Sequence, residues 1–166
     1  GANGAGKTTL FNVITGDYRP DRGRVFFFGE DVTALPPHER IRRGIRRTYQ
    51  SSILFRSLSV ADNLFLAACG VTRGRFSLRR PGPSHPSMVR ARELASLAGL
   101  GDAIAIPVGD LSHGQQRQLE VGMALAGAPR VILFDEPAAG LSPVQRRHLI
   151  ALLRGLPKHI GYIIIE

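Results

Sequence analysis

The first nine residues, GANGAGKTT, constrain this chain more than any other stretch. Gly1 through Thr8 fit the pattern G-x-x-x-x-G-K-S/T, the arrangement of a phosphate-binding loop. Gly1, Gly4 and Gly6 let the backbone turn tightly and aim successive N–H groups at one point, with no Cβ in the way. Asn3 and Ala5 lie between them in the same loop. Lys7 can set a cation on the β- and γ-phosphate oxygens, and the Thr8 hydroxyl can join the shell of a bound Mg²⁺. Thr9, Leu10, Phe11, Val13 and Ile14 then start a helix whose N-terminal dipole faces the same phosphates. The rival is a glycine-rich turn before an ordinary helix, which would produce the pattern about once in a few hundred chains of this length (roughly 7% Gly per position).

With 166 residues, the chain suits one domain, or one domain with an inserted subdomain. Its 43% hydrophobic and 21% charged residues are those of a globular protein rather than a disordered one. No stretch reaches the roughly 18 apolar residues of a membrane span. Lys and Arg outnumber Asp and Glu by 22 to 13, giving a net charge of +9. The excess is arginine, gathered in Arg40 to Arg47 and Arg73 to Arg92, with no aromatic interleaving beyond Phe76. Without a stacking platform, these clusters read as solvated helix faces and a membrane-proximal surface rather than as a nucleic-acid site.

Along the chain, strands and helices alternate. Gly16 should cap the first helix, and Val25 to Phe28, ending at Gly29, reads as a strand. Pro36 and Pro37 suit a short helix stopped near Gly44, and Ile45 to Tyr49 a second strand with Gln50 just past its end. Ser59 to Asp62 forms a capping box before a helix, and Gly70 to Ser87 reads as a loop with Ser87 capping the next helix. Leu111-Ser112-His113-Gly114-Gln115 leads another helix that packs through Leu119, Met123 and Ala126. Val131 to Phe134 is an uninterrupted apolar run, as in a strand buried on both faces, and it delivers Asp135 and Glu136 to its carboxyl end. Ser142 and Pro143 start a further helix, and Tyr162 to Ile165 a further strand. This alternation predicts a parallel α/β sheet with ligands at the strands' carboxyl ends. A phosphate loop normally follows a strand, so the expectation is an internal fragment of a longer domain, truncated at both ends.

Asp135 can hold Mg²⁺ opposite Thr8, and Glu136 can accept a proton from an attacking water. Ser112 and Gly114 head a helix and can present a hydroxyl, free N–H groups and a positive dipole end to an anion; the rival is a plain N-cap before a surface helix. Phosphate loop, Gln50, Leu111 to Gln115 and Val131 to Glu136 occur in the order and spacing of ATP-binding cassette (ABC) transporter ATPases, which the whole chain resembles. The resemblance implies a phosphate-loop nucleotide-binding core, residues 1–54 and 111–166, around a helical subdomain, residues 55–110. It also implies ATP and Mg²⁺ as ligands, with Lys7 and Glu136 catalytic and Gln50 on the metal and the attacking water. It further implies a head-to-tail dimer in which Ser112, Gly114 and Gln115 close over the partner's nucleotide.

LSHGQ, the run Leu119 to Met123, DEPAAGLSP and RTYQ look like the ATPase subunits of branched-chain amino acid and urea or amide uptake systems. Such a subunit would sit on the cytoplasmic face of the membrane, bound to permease subunits and indirectly served by a substrate-binding protein. A soluble ABC-type ATPase acting on ribosomes or nucleic acid is the second reading, which the charge permits. A binding module without turnover is the third. Two departures stand out: His113 replaces the first glycine of the usual signature, and Ala139 to Ser142 lacks the acidic residue many relatives carry.

Overall fold

The computed structural model describes residues 6–48, 54–70, 82 and 84–166. Its centre is a parallel sheet in the order β3 (Ile45–Thr48), β4 (Val131–Asp135), β5 (Gly161–Ile165). The register pairs Arg47 with Leu133 and Leu133 with Ile163. Because side chains alternate along a strand, Val131, Leu133 and Asp135 share one face of β4, and Ile132 and Phe134 the other. Both faces are covered, in keeping with the unbroken apolar run Val131 to Phe134. Phe11, Ile45 and Leu133 make one small core under α1 (Lys7–Thr15). Ile132 and Phe134 join the larger core formed with α3 (Val60–Gly70), α4 (Pro86–Leu97), α5 (His113–Ala124) and α6 (Pro143–Arg154). The parallel α/β architecture expected from the alternation is thus present.

Helix α1 begins at Lys7, two residues before the expected start, behind Gly6 in the left-handed region (φ 75°). It ends as expected at Gly16 (φ 88°), whose N–H reaches the Asn12 carbonyl at 3.0 Å. Gly16 is required twice over. A Cβ there would stand 2.8 Å from Arg40 Nε and 3.0 Å from the Leu35 carbonyl oxygen.

Two expectations about local structure need correction. The strand expected at residues 25–28 is present only at 26–27, and it lies outside the parallel sheet. Phe26–Phe27 (β1) folds back on Glu30–Asp31 (β2) as an antiparallel hairpin, with Phe28 and Gly29 both at positive φ (49° and 83°) in the turn. A turn with two left-handed residues matches strand twist, so the reversal is favoured. Helix α4 is capped by His85, not Ser87: the His85 Nδ1 accepts from the Ser87 N–H at 3.2 Å, and Pro86 occupies the first turn. Its fixed φ suits that position, and this moves the start toward the cap before it.

The arginine cluster at 40–47 is not a solvated face. Arg40 is 1% exposed and Arg46 8%. Arg40 sits on α2 (Pro37–Arg42) and donates to four carbonyls: Leu35 (2.9 Å), Val13 (2.6 Å), Ile14 (2.8 Å) and Thr33 (2.9 Å). Val13 and Ile14 belong to the last turn of α1, whose carbonyls have no helical donors. Burial lowers the basicity of the Arg40 guanidinium, and the charge of Asp17 works against that. Arg46 donates to the carbonyls of Ile41 and Ile45. Only Arg42 and Arg43 behave as expected of surface arginines, pairing with Glu39 at 2.8 and 3.0 Å. An arginine can be buried when carbonyl oxygens satisfy its fork, an environment that composition does not reveal.

Between β3 and β4 the described residues contribute helices and no sheet strand. Asn63 is fully buried and holds the segment before α3: its Oδ1 accepts from the Phe55 N–H (3.0 Å), and its Nδ2 donates to the carbonyls of Phe55 (3.0 Å) and Ser59 (3.0 Å). Backbone bonds from Val108 to Leu58 (2.9 Å) and Gly109 to Arg56 (2.9 Å) tie the same segment to the approach of α5. Asn63→Ala should therefore lower stability by about 2–3 kcal/mol, since it strands buried backbone groups. Chemical denaturation would measure this, and a change within about 0.5 kcal/mol, the range of a surface substitution, would contradict it. None of the helices among the described residues is long and apolar enough to cross a membrane.

Candidate functional site

The carboxyl edge of the sheet collects the chemistry. Strand β4 ends at Asp135, and Glu136 follows in the left-handed region (φ 47°), unusual for a residue with a side chain. The Glu136 N–H donates to the Ile165 carbonyl at the end of β5 (2.9 Å), and the Glu136 carbonyl accepts from Ala139 N–H (3.1 Å). These bonds hold the strained turn. Lys7, at the start of α1, reaches the same edge: its Nζ donates to the Glu166 carbonyl at 2.7 Å. Lys7, Asp135 and Glu136 are thereby assembled from α1, β4 and the β5 end. A cavity of about 290 Å³ opens here, lined among the described residues by Glu136, Ala138, Ala139, Arg146 and Glu166.

Asp135 is not open to solvent. Its Oδ2 accepts from Arg47 Nη2 at 2.7 Å, with side chains 2% and 4% exposed respectively. Its Oδ1 is buried and has no hydrogen-bond donor among the described residues. A buried carboxylate oxygen in that state has room in its chemistry for a cation or a water donor. The described residues contain no group of three His, Cys, Asp or Glu suited to a metal. One carboxylate and a neighbouring hydroxyl suit Mg²⁺, which keeps several waters and takes few protein ligands besides phosphates. Asp135 therefore has the chemistry to suit that ion, and Thr8 is exposed at the start of α1. Thr9 is likewise exposed at the start of α1. Gly1, Asn3, Gly4, Ala5 and Gln50 lie outside the described residues.

The second group of candidates sits at the start of α5. Ser112 is the N-cap, accepting from Gln115 N–H (3.3 Å), while the Gln115 side chain accepts from Ser112 N–H (3.0 Å). Ser142 and Gln145 repeat this box at the start of α6 (3.3 and 3.0 Å). The two helix starts abut. A Cβ on Gly114 would stand 2.9 Å from Gln145 Cγ, and one on Gly140 would stand 3.2 Å from His113 Cε1. A side chain at 114 would therefore require Gln145 to move. Ser112, Gly114, Gln115, Gln118, Gln145 and His148 line a shallow pocket of about 80 Å³. His113 thus packs on the loop that follows Glu136, linking the α5 start to the edge that carries Asp135.

Three contributors escape a reading of motifs: Arg47, Asn12 and Arg146. Arg47 lies inside a strand whose period-2 alternation puts it on the α1 face with Ile45; that parity was the available signal.

A phosphate loop opening a helix, a parallel sheet and an Asp-Glu pair at a strand's carboxyl end define a phosphate-loop nucleotide-binding protein. A profile of the ABC transporter family matches residues 1–139, and the chain belongs to that family. It is 36% identical over 164 residues to the high-affinity branched-chain amino acid transport ATP-binding protein BraF of Pseudomonas aeruginosa, covering 94% of this chain and 64% of that protein. The identity is 38% over 169 residues to the lipopolysaccharide export system ATP-binding protein LptB of Acidithiobacillus ferridurans, covering 100% of this chain and 66% of that one. Among solved structures, the ADP conformation of an ATP-binding cassette of an ABC transporter superposes with a TM-score of 0.86 at 32% identity, covering 99% of this chain and 66% of that one. The chain thus spans slightly less than two thirds of these relatives' lengths.

Proposed function

We propose that the protein is the ATP-binding and ATP-hydrolysing subunit of an ABC importer. The observation that carries this reading is the convergence of the Lys7 cation, the Asp135 carboxylate and Glu136 on one sheet edge. Lys7 exchanges the Glu166 main-chain oxygen for β- and γ-phosphate oxygens, which carry formal negative charge of their own. The Gly6 end of α1 offers the positive end of the helix dipole and its first-turn N–H groups to the same phosphates. Mg²⁺, held by Asp135 and Thr8, would offset charge on the phosphate oxygens. Glu136 accepts the proton of a water whose oxygen attacks the γ-phosphorus, while the bond to the ADP oxygen breaks and its electron pair leaves with ADP. Gln50 orients that water.

Ser112, Gly114 and Gln115 serve a different nucleotide, the one on the second subunit of a head-to-tail dimer. What supports this is that they line a pocket at the α5 start that shares no described lining residue with the Glu136 cavity. Residues 1–54 and 111–166 are the nucleotide core, and 55–110 a helical subdomain. The partners are then permease subunits, with the protein peripheral on the inner face of the cell membrane. The cargo is branched-chain amino acids or related small polar solutes, a reading supported by the similarity to BraF and by the RTYQ, LSHGQ and DEPAAGLSP stretches.

Lys7→Ala should weaken ATP binding by about 100-fold or more, because one cation on a desolvated phosphate is lost. Titration with a fluorescent ATP analogue measures this. Equal, measurable affinity in both proteins would remove Lys7 from the phosphate site.

A further inference from the structure

Among the described residues, Arg47 touches both the carboxylate on β4 and the helix behind the phosphate loop. Its Nη2 donates to Asp135 Oδ2 at 2.7 Å and its Nη1 to Asn12 Oδ1 on α1. Asp17 Oδ2 lies 3.8 Å from Nη1 and is held in turn by the Thr15 hydroxyl at 2.6 Å. The guanidinium also lies over the Phe11 ring, 5.5 Å from its centre. These partners come from α1, from the turn after it and from β4, and Arg47 itself from β3.

We infer that Arg47 is a positioning residue that ties up one oxygen of Asp135 and aims the other, Oδ1, at the nucleotide-bound metal. The inference rests on the nucleotide-and-Mg²⁺ reading above. A carboxylate fixed only by its own strand turns freely about its last torsion and presents either oxygen. With Oδ2 occupied by a planar fork that is anchored on α1, the carboxylate plane is set relative to the helix that carries Lys7 and Thr8. Oδ1 is then the oxygen left for the ion, and it is the one buried with no donor among the described residues. The charge of Arg47 also offsets that of Asp135 when no ion is present, since an unpaired buried carboxylate would be strongly disfavoured. Outer partners of this kind typically change metal affinity by about 10- to 100-fold when removed.

A purely electrostatic view makes the opposite forecast. If Arg47 only competed with the ion for Asp135, its removal would strengthen metal binding. The sign of the effect therefore separates orientation from competition.

The experiment measures affinity for a nonhydrolysable ATP analogue with Mg²⁺ and in EDTA, for wild type and Arg47→Met, with thermal unfolding followed in parallel. The expected result is a fall of about 10- to 100-fold in the ratio of the two affinities, with the EDTA value nearly unchanged. An unchanged or increased ratio, whatever happens to stability, would overturn the inference. Should Arg47→Met fail to fold, Asn12→Ala keeps the charge and removes only the anchor on α1. It should lower the same ratio several-fold, and an unchanged ratio there overturns the inference equally. A wild-type protein with no measurable affinity would defeat the nucleotide reading itself; wild-type binding with an intact ratio in the variant would defeat this inference alone.

Discussion

Glu136→Gln should lower ATP hydrolysis by about 10²- to 10⁴-fold, the usual contribution of a positioned general base. The amide keeps the size and shape of the side chain but cannot take a proton from water. The backbone at 136 is already committed to φ 47° by bonds to Ile165 and Ala139, and glutamine can hold those bonds as glutamate does. Nucleotide binding should survive, because Lys7 and the α1 start are untouched. The bound ATP should then accumulate, trapping a closed dimer in the protein that carries this chain. Phosphate release and gel filtration with ATP read the two effects separately. Normal turnover in Glu136→Gln would remove the base assignment while leaving the binding site standing.

Arg40→Met should cost about 3–5 kcal/mol of stability, four carbonyl acceptors at roughly 1 kcal/mol each. Methionine is of similar length and fills the space, so the loss isolates the hydrogen bonds from the packing. The guanidinium is 1% exposed, and the oxygens of Val13, Ile14, Thr33 and Leu35 would have no water to replace it. Arg40→Lys should recover little, since one ammonium group cannot serve a fork of acceptors. Because two of the carbonyls end α1, loosening them also frees the helix whose first turn holds Lys7 and Thr8. Urea unfolding measures the loss; a change below about 1 kcal/mol, no more than an ordinary single substitution, would show that the four bonds contribute little.

Neither Arg40 nor Arg47 could be recognised from composition. A charged residue in a basic cluster is usually solvated, and only the placement of carbonyls and Asp135 around them makes burial tolerable. By contrast, β4 was legible because four apolar residues in a row followed by Asp-Glu suit a buried strand with a polar carboxyl end. The caps at Ser112 and Ser142 follow from local hydrogen bonding alone. The hairpin at 26–31 was hidden because it depends on Phe28 adopting a positive φ, which its side chain does not favour. His85 displaced Ser87 as the α4 cap for a similar reason: Pro86 between them fixes where the helix can begin. What motifs convey is the chemistry at strand and helix ends; what they omit is the set of buried polar contacts that hold those ends in place.

The most direct measurement is a crystal structure of the protein with a nonhydrolysable ATP analogue and Mg²⁺. The account predicts Lys7 Nζ at about 2.7–3.2 Å from phosphate oxygens, a hydrogen-bonding distance. It predicts Asp135 Oδ2 still on Arg47 with Oδ1 turned to the metal shell, and Glu136 facing the γ-phosphate. A nucleotide bound elsewhere, with Lys7 still on the Glu166 carbonyl, would contradict it.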